Sequence, residues 1–246
     1  MTDIVAGGLS AAPAQFRVGT VMNKTFAILG HQFWKFTLLT LLPMAPLLIL
    51  TLVSASSSGT SGAAVTSAGT GFLTIALQSL AQATSLYGAF QIMRGQSFTI
   101  RESFQIALAR AVPVIGVSIL CALATILGMV LFIVPGIILG CMLYVAIPAC
   151  VIEKSGVMAS LKRSVALTKG YRWQIFGLFL LVMVVGTVAG LVLVKVGEEN
   201  IVGQLLGFAA QVISTTFGAV LSAVIYHDLR AAKEGIDLDT LANVFD

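Results

Sequence analysis

Between Lys35 and Arg94 the chain runs through 58 residues without a charged side chain. Three further gaps follow: 42 residues between Arg110 and Glu153, 22 between Arg172 and Lys195, and 28 between Glu199 and Asp228. A soluble domain cannot be built from such stretches, because its surface has to meet water. A helix crossing a bilayer needs about 20 consecutive apolar residues. The two shorter gaps therefore hold one span each. The 42-residue gap holds two, with Pro135-Gly136 near its middle as the turn signal and Pro135 in the first turn of the returning helix. The 58-residue gap also holds two, separated by the low-complexity stretch 54–71 (SASSSGTSGAAVTSAGTG), which reads as a flexible loop.

The expected fold is thus an all-α integral membrane protein with six transmembrane helices, at about 34–53, 72–93, 114–134, 136–152, 173–194 and 201–227. Residues 1–15, without a basic n-region or an apolar core, read as a disordered tail rather than a signal peptide. The membrane domain occupies 16–235, and 236–246 form a short C-terminal tail. Charged residues make up 10% of the chain, against about 25% for a soluble domain. That excludes a nucleic-acid binder and a disordered protein. Cys121, Cys141 and Cys150 sit in apolar runs without CxxC spacing and read as small hydrophobes.

Six spans put the N-terminus, 94–112, 153–172 and the C-terminus on one face, which then carries 13 of the 14 Lys and Arg residues. Lys195, with Glu198 and Glu199, falls on the other. The asymmetry predicts both termini in the cytoplasm of a multi-pass protein. The segments on the basic face are amphipathic. Residues 16–31 set Arg17, Lys24 and His31 on one helical face and Val18, Met22 and Leu29 towards another. Residues 99–112 oppose Ile100, Phe104 and Leu108 to Arg101, Glu102 and Gln105; residues 156–170 oppose Met158, Leu161 and Val165 to Lys162, Arg163 and Lys169. Each reads as a cytoplasmic interfacial helix with its cations towards lipid phosphates. Aromatic-basic girdles follow the first and third, at Trp34-Lys35 and Arg172-Trp173. Met22-Asn23-Lys24-Thr25-Phe26-Ala27, Phe104-Gln105-Ile106-Ala107-Leu108-Ala109 and Leu161-Lys162-Arg163-Ser164-Val165-Ala166 align as apolar, two variable, small, apolar, Ala. The order of elements suggests three repeats of interfacial helix plus hairpin.

Within the spans, Gln78 and Gln82 in the second and Gln204 and Gln211 in the sixth form polar stripes, which predict interhelical hydrogen bonds or a polar path between those two helices. Gly136/Gly140, Gly186/Gly190 and Gly203/Gly207 are GxxxG pairs, expected to pack spans four to six together. Glu153 or Asp228 is a candidate partner for Lys162 and Arg163, which would lock the third interfacial helix onto the bundle. His31 and His227 lack partners at metal-ligand spacing, and no nucleophile or phosphate-loop pattern occurs. No catalytic residue, metal or cofactor is expected.

Pro135-Gly136, Pro148, Val151-Ile152-Glu153, Ser160-Leu161-Lys162-Arg163-Ser164, Leu167-Thr168-Lys169-Gly170, Arg172-Trp173 and Tyr226-His227-Asp228-Leu229-Arg230 carry a resemblance. Over about 100–240 the chain resembles the membrane domain that precedes the catalytic domain of some bacterial glycerophosphodiester phosphodiesterases, and the stand-alone six-span YciC-like proteins. The catalytic barrel has no counterpart here, so the resemblance implies a membrane module of a bacterial inner membrane, not an enzyme. The expected function is a non-catalytic, lipid-contacting protein that organises anionic phospholipids or a membrane-protein partner. A small-solute or lipid transporter with a path between spans two and six, and an accessory subunit of a larger complex, are the alternatives.

Overall fold

A computed structural model describes residues 16–56, 63–196 and 201–234. These form helices α1 (Val18–Ser56), α2 (Ala63–Met93), α3 (Ile100–Ala109), α4 (Ala111–Leu131), α5 (Ile133–Leu143), α6 (Ala146–Ile152), α7 (Val157–Thr168), α8 (Arg172–Val196) and α9 (Ile201–Glu234), with no strand among the described residues. Four stretches are long and apolar enough to cross a membrane: Val18–Leu50, Ala111–Leu131, Ile133–Ile152 and Val202–Glu234. A fifth follows if α7 and α8, bent by 100° at their junction, count as one. The protein is a helical, multi-pass membrane protein. The tails expected at 1–15 and 236–246 and residues 57–62 of the expected loop lie outside the described residues. The flanks of that loop, 54–56 and 63–71, are helical rather than loop. They hold Ala, Ser, Thr, Val65 and two glycines but no proline, so no residue in them is barred from a helix.

Helices α1, α2 and α9 form the centre of the bundle around fully buried Phe36, Leu39, Leu86, Leu221, Ile225 and Tyr226. One of their polar contacts follows from a proline. Pro43 lacks an N–H, so the Leu39 carbonyl one turn earlier has no helical donor. Thr84 Oγ1 on α2 donates to it at 3.1 Å. Beside it, Thr40 Oγ1 lies 2.7 Å from Ser85 Oγ and accepts from Thr216 Oγ1 of α9 at 2.7 Å. All three central helices are thus bonded through hydroxyls that water cannot reach.

The α4–α5 hairpin turns at Phe132, in extended conformation (φ −158°, ψ 138°), three residues before the expected Pro135-Gly136. Pro135 still falls in the first turn of the returning helix. Gly136 serves close packing instead of the turn: a Cβ there would lie 2.6 Å from the Met129 backbone nitrogen. Gly136 and Gly140 therefore pack against α4, the third expected span, rather than against the fifth or sixth. Gly186 and Gly190 meet nothing within 4 Å, so that pair makes no close helix approach among the described residues; of the third pair, Gly207 also meets nothing and Gly203 is buried. The fourth expected span is interrupted at Tyr144–Val145, between α5 and α6. Hydroxyls from α7 meet this break: Ser164 Oγ donates to the Met142 carbonyl at 2.7 Å, and Thr168 Oγ1 at 3.3 Å. Irregular backbone at membrane depth is tolerated where protein satisfies it in this way.

Candidate membrane-interface site

Three short amphipathic helices precede three long apolar ones. The first is the start of α1, ended by a break at Gln32 (φ −142°, ψ 36°). The second is α3, capped at its start by Thr99 Oγ1 accepting from the Glu102 N–H and separated from α4 by Arg110. The third is α7, which meets α8 at the 100° bend. Positions 17–27, 99–109 and 156–166 follow the same order of buried, half-buried and exposed residues, with one departure at half-buried Val165. Val21, Ser103 and Ser160 are buried, and so, one turn later, are Thr25, Ala107 and Ser164. Those last three are the small position of the sequence alignment. Small side chains let each helix dock closely on the bundle. Phe26 and Leu108, next in line, are more than half exposed. A water-facing helix buries such residues; a helix at a lipid surface points them into the acyl region.

The expected interfacial residues divide into two groups. Arg17, Lys35, Arg101, Lys162 and Lys169 are exposed, as are Trp34 (71%) and Trp173 (82%). Lys35 also stands over the Phe98 ring, 5.9 Å from its centroid. Lys24 and Arg163 depart from expectation and face protein. Lys24 Nζ donates to Asp228 Oδ1 at 2.8 Å; Arg163 Nε donates to Glu153 Oε1 at 2.7 Å, and its Nη2 pairs with Glu234. The two occupy the same aligned position, half a turn towards the bundle, where carboxylates at span ends can reach them. The expected lock on α7 is therefore Glu153 with Arg163. Asp228, the other candidate, holds the first short helix instead.

These acids are tuned by their partners. Burial pushes the Asp228 carboxyl up, but hydrogen bonds from His227 and Lys24 outweigh it and hold the group below the usual carboxylate range. Glu234 is likewise lowered: Arg163 and Arg230 outweigh its desolvation. Glu153 accepts a second bond from Tyr226 at 2.7 Å. Arg172, at the start of α8, differs from both groups. It is half-buried, and its Nε is buried without an acceptor.

Among the intramembrane glutamines, Gln78, Gln82 and Gln204 are half-buried and Gln211 is exposed. None of the four forms a hydrogen bond among the described residues. The bonds between α1, α2 and α9 come from Thr40, Thr84, Ser85 and Thr216, which sequence reasoning missed. Hydroxyls are too common in apolar helices to stand out, although a threonine that faces the carbonyl freed by a proline is a usable signal. A cavity of about 230 Å³ lies elsewhere, lined by Thr125, Met129, Gly136, Ile137, Gly140, Cys141, Tyr144, Ile175 and Phe179 of α4, α5 and α8 and the break after α5. No family model, curated protein or solved structure matches this chain.

Proposed function

We propose that the chain is a six-span, non-catalytic module of a bacterial cytoplasmic membrane, with both termini in the cytoplasm, that holds anionic phospholipid and organises lipid or protein partners around it. The carrying observation is the shared burial order of the three short helices. Each turns small residues to the bundle, and large apolar side chains and cations outward. The sharp bend between α7 and α8 suits a helix lying on a membrane followed by one crossing it. In this reading the six spans are α1 beyond Gln32, α2, α4, α5 with α6, α8 and α9. The chain is a triplicated unit of interfacial helix plus hairpin, and kinship with the phosphodiesterase membrane domain and the YciC-like proteins belongs to the same proposal. The sequence-level alignment of three hexapeptides supports the triplication, because the aligned small residue is the buried one each time.

Hydrogen exchange in nanodiscs of anionic or neutral lipid tests the reading. A basic residue near an anionic surface contributes about 1 kcal/mol. Exchange across Ile100–Ala109 and Val157–Thr168 should be several-fold slower in anionic discs, and Arg101→Gln with Lys162→Gln should remove the difference. Equal exchange in both lipids for the unaltered protein would mean that protein contacts alone hold these helices.

A further inference from the structure

The last helix ends against α7. The Glu234 carboxylate pairs with Arg163, and Lys233 beside it donates to the Ala166 carbonyl at 2.6 Å. The chain therefore leaves α9 at a fixed point on the side of α7. Twelve residues follow at 235–246, with the sequence GIDLDTLANVFD, outside the described residues. They hold three of the ten acidic residues of the chain, Asp237, Asp239 and Asp246, and no Lys or Arg. These carboxylates have no cation within their own segment.

The outer side of α7 carries the opposite charge. Met158, Lys162 and Ala166, each four residues from the next, form one exposed stripe, and exposed Lys169 caps the end of the helix. Neither lysine has an acceptor among the described residues. The nearby acids are already engaged: Glu153 by Arg163 and Tyr226, and Glu234 by Arg163 and Arg230. Two uncompensated cations thus stand where an acidic segment emerges. Asp237 and Asp239 lie three and five residues beyond Glu234, about 10 and 17 Å of extended chain. Lys162 is next to Arg163, and Lys169 lies six residues or about 9 Å of helix past it. Both acids therefore reach both lysines, and a tether this short holds them at an effective concentration of about millimolar. The order also matches. Asp237, Asp239 and Leu241 alternate, which sets them on one side of an extended segment. Taken in reverse, α7 presents Lys169, Lys162 and then Met158, which is 63% exposed.

We infer that residues 236–241 dock along the outer stripe of α7, antiparallel to it, with Asp237 on Lys169, Asp239 on Lys162 and Leu241 against Met158. The segment then occupies the cations that would otherwise hold lipid phosphate, and anionic headgroups displace it when they are abundant. That competition rests on the interfacial reading of α7 proposed above; the docking itself rests on charge and reach. Nanodiscs holding one chain each, of phosphatidylcholine alone or with phosphatidylglycerol, test both. A carbodiimide joins a carboxylate to an ammonium in contact with it as an amide, and leaves as its urea. Peptide mass spectrometry should find Asp237 or Asp239 joined to Lys169 or Lys162 in phosphatidylcholine, and several-fold less of that product with phosphatidylglycerol. In hydrogen exchange, Asp237→Asn with Asp239→Asn should speed exchange across Val157–Thr168 about fivefold in phosphatidylcholine, the scale of two exposed ion pairs. The same variant should leave Ile100–Ala109 unchanged, and should have no effect on α7 in phosphatidylglycerol discs. Absence of the cross-link in phosphatidylcholine, or exchange across α7 that the variant does not move there, overturns the docking. A cross-link formed equally in both lipids supports the docking and overturns the competition. Exchange across Ile100–Ala109 in the two lipids reports on the interfacial reading by itself, because α3 has no acidic segment emerging beside it, so failure of either reading is seen separately.

Discussion

Lys24 and Asp228 lie 204 positions apart in sequence and 2.8 Å apart in space. A hydrogen bond to a charged group contributes about 1.5–3 kcal/mol, and a fully exposed ion pair at most about 1 kcal/mol. The Lys24 side chain is 31% exposed and that of Asp228 11%, so this pair falls between the two cases. Its coupling energy should be about 1–2 kcal/mol. The single changes should be unequal. Lys24→Met leaves a confined carboxylate with His227 at 3.2 Å as its remaining polar neighbour, a loss of about 2–3 kcal/mol. Asp228→Asn leaves a lysine whose flexible stem can carry its ammonium out to the headgroups, and should cost about 1 kcal/mol. A double-mutant cycle by reversible unfolding in bicelles measures all three quantities. The pH dependence gives an independent check. Because the folded Asp228 titrates below its ordinary value of about 3.9, its contribution is complete above that value and is lost as pH falls through the lowered one. In Lys24→Met burial is opposed by less, so the loss should begin at higher pH. Coupling near zero, or Asp228→Asn costing more than Lys24→Met, would refute the claim that this pair ties the first short helix to the last span.

Other outcomes follow from the same packing. Gly136→Ala should destabilise the α4–α5 hairpin by about 1–3 kcal/mol, because its methyl meets Met129 backbone, whereas Gly140→Ala should be neutral; thermal unfolding in detergent compares them. Thr40→Val removes the hydroxyl shared by α1, α2 and α9 and should cost about 1 kcal/mol, the scale of interhelical bonds in membranes, by steric trapping in bicelles. A reporter active only outside the cytoplasm should be active when fused at Ser61 or Asn200, and silent at Gly95, Gly156 or after Asp246; any reversal breaks the six-span reading. Cysteines placed at Gln82 and Gln211 should resist aqueous thiol reagents, and fast labelling of both would favour a wet transport path between α2 and α9.

Sequence carried the class of the fold because charge-free length has one physical meaning in a chain of this size. It carried the short helices because a period of 3.6 shows wherever charged and apolar residues alternate. It did not carry the turn at Phe132. Pro135-Gly136 is the local turn signal, but glycine was required for the approach of α4 to α5, and that contact is invisible along the chain. Nor did it show the break at Tyr144–Val145, whose stability comes from Ser164 and Thr168, more than twenty residues away. Among the candidate site residues, Arg101, Lys162, Lys169, Trp34 and Trp173 are exposed. Lys24 and Arg163 carry the same charge in the same local pattern, yet their direction was set by Asp228 and Glu153 on other helices.

The placement of those two pairs bears on how the proposed repeats close. In each, a cation at the same aligned position of a short helix meets an acid at or near the C-terminal end of a later or preceding apolar helix. Glu153, at the end of α6, holds Arg163 of α7, the next helix in the chain. Asp228, near the end of α9, holds Lys24 of the first helix, at the opposite end of the chain. The junction from α2 to α3 uses a neutral version, with Gln91 donating to the Tyr87 hydroxyl at 2.8 Å and that hydroxyl 3.4 Å from Glu102. Ring contacts follow the same circuit: Phe98, before α3, packs on Phe36 of the first unit, and Phe16, before α1, packs on Tyr171 of the third. Three units that merely followed one another would leave the first short helix without a predecessor to dock on. Here the last span supplies it, so all three amphipathic helices can sit around one bundle with their cations turned to the same membrane surface.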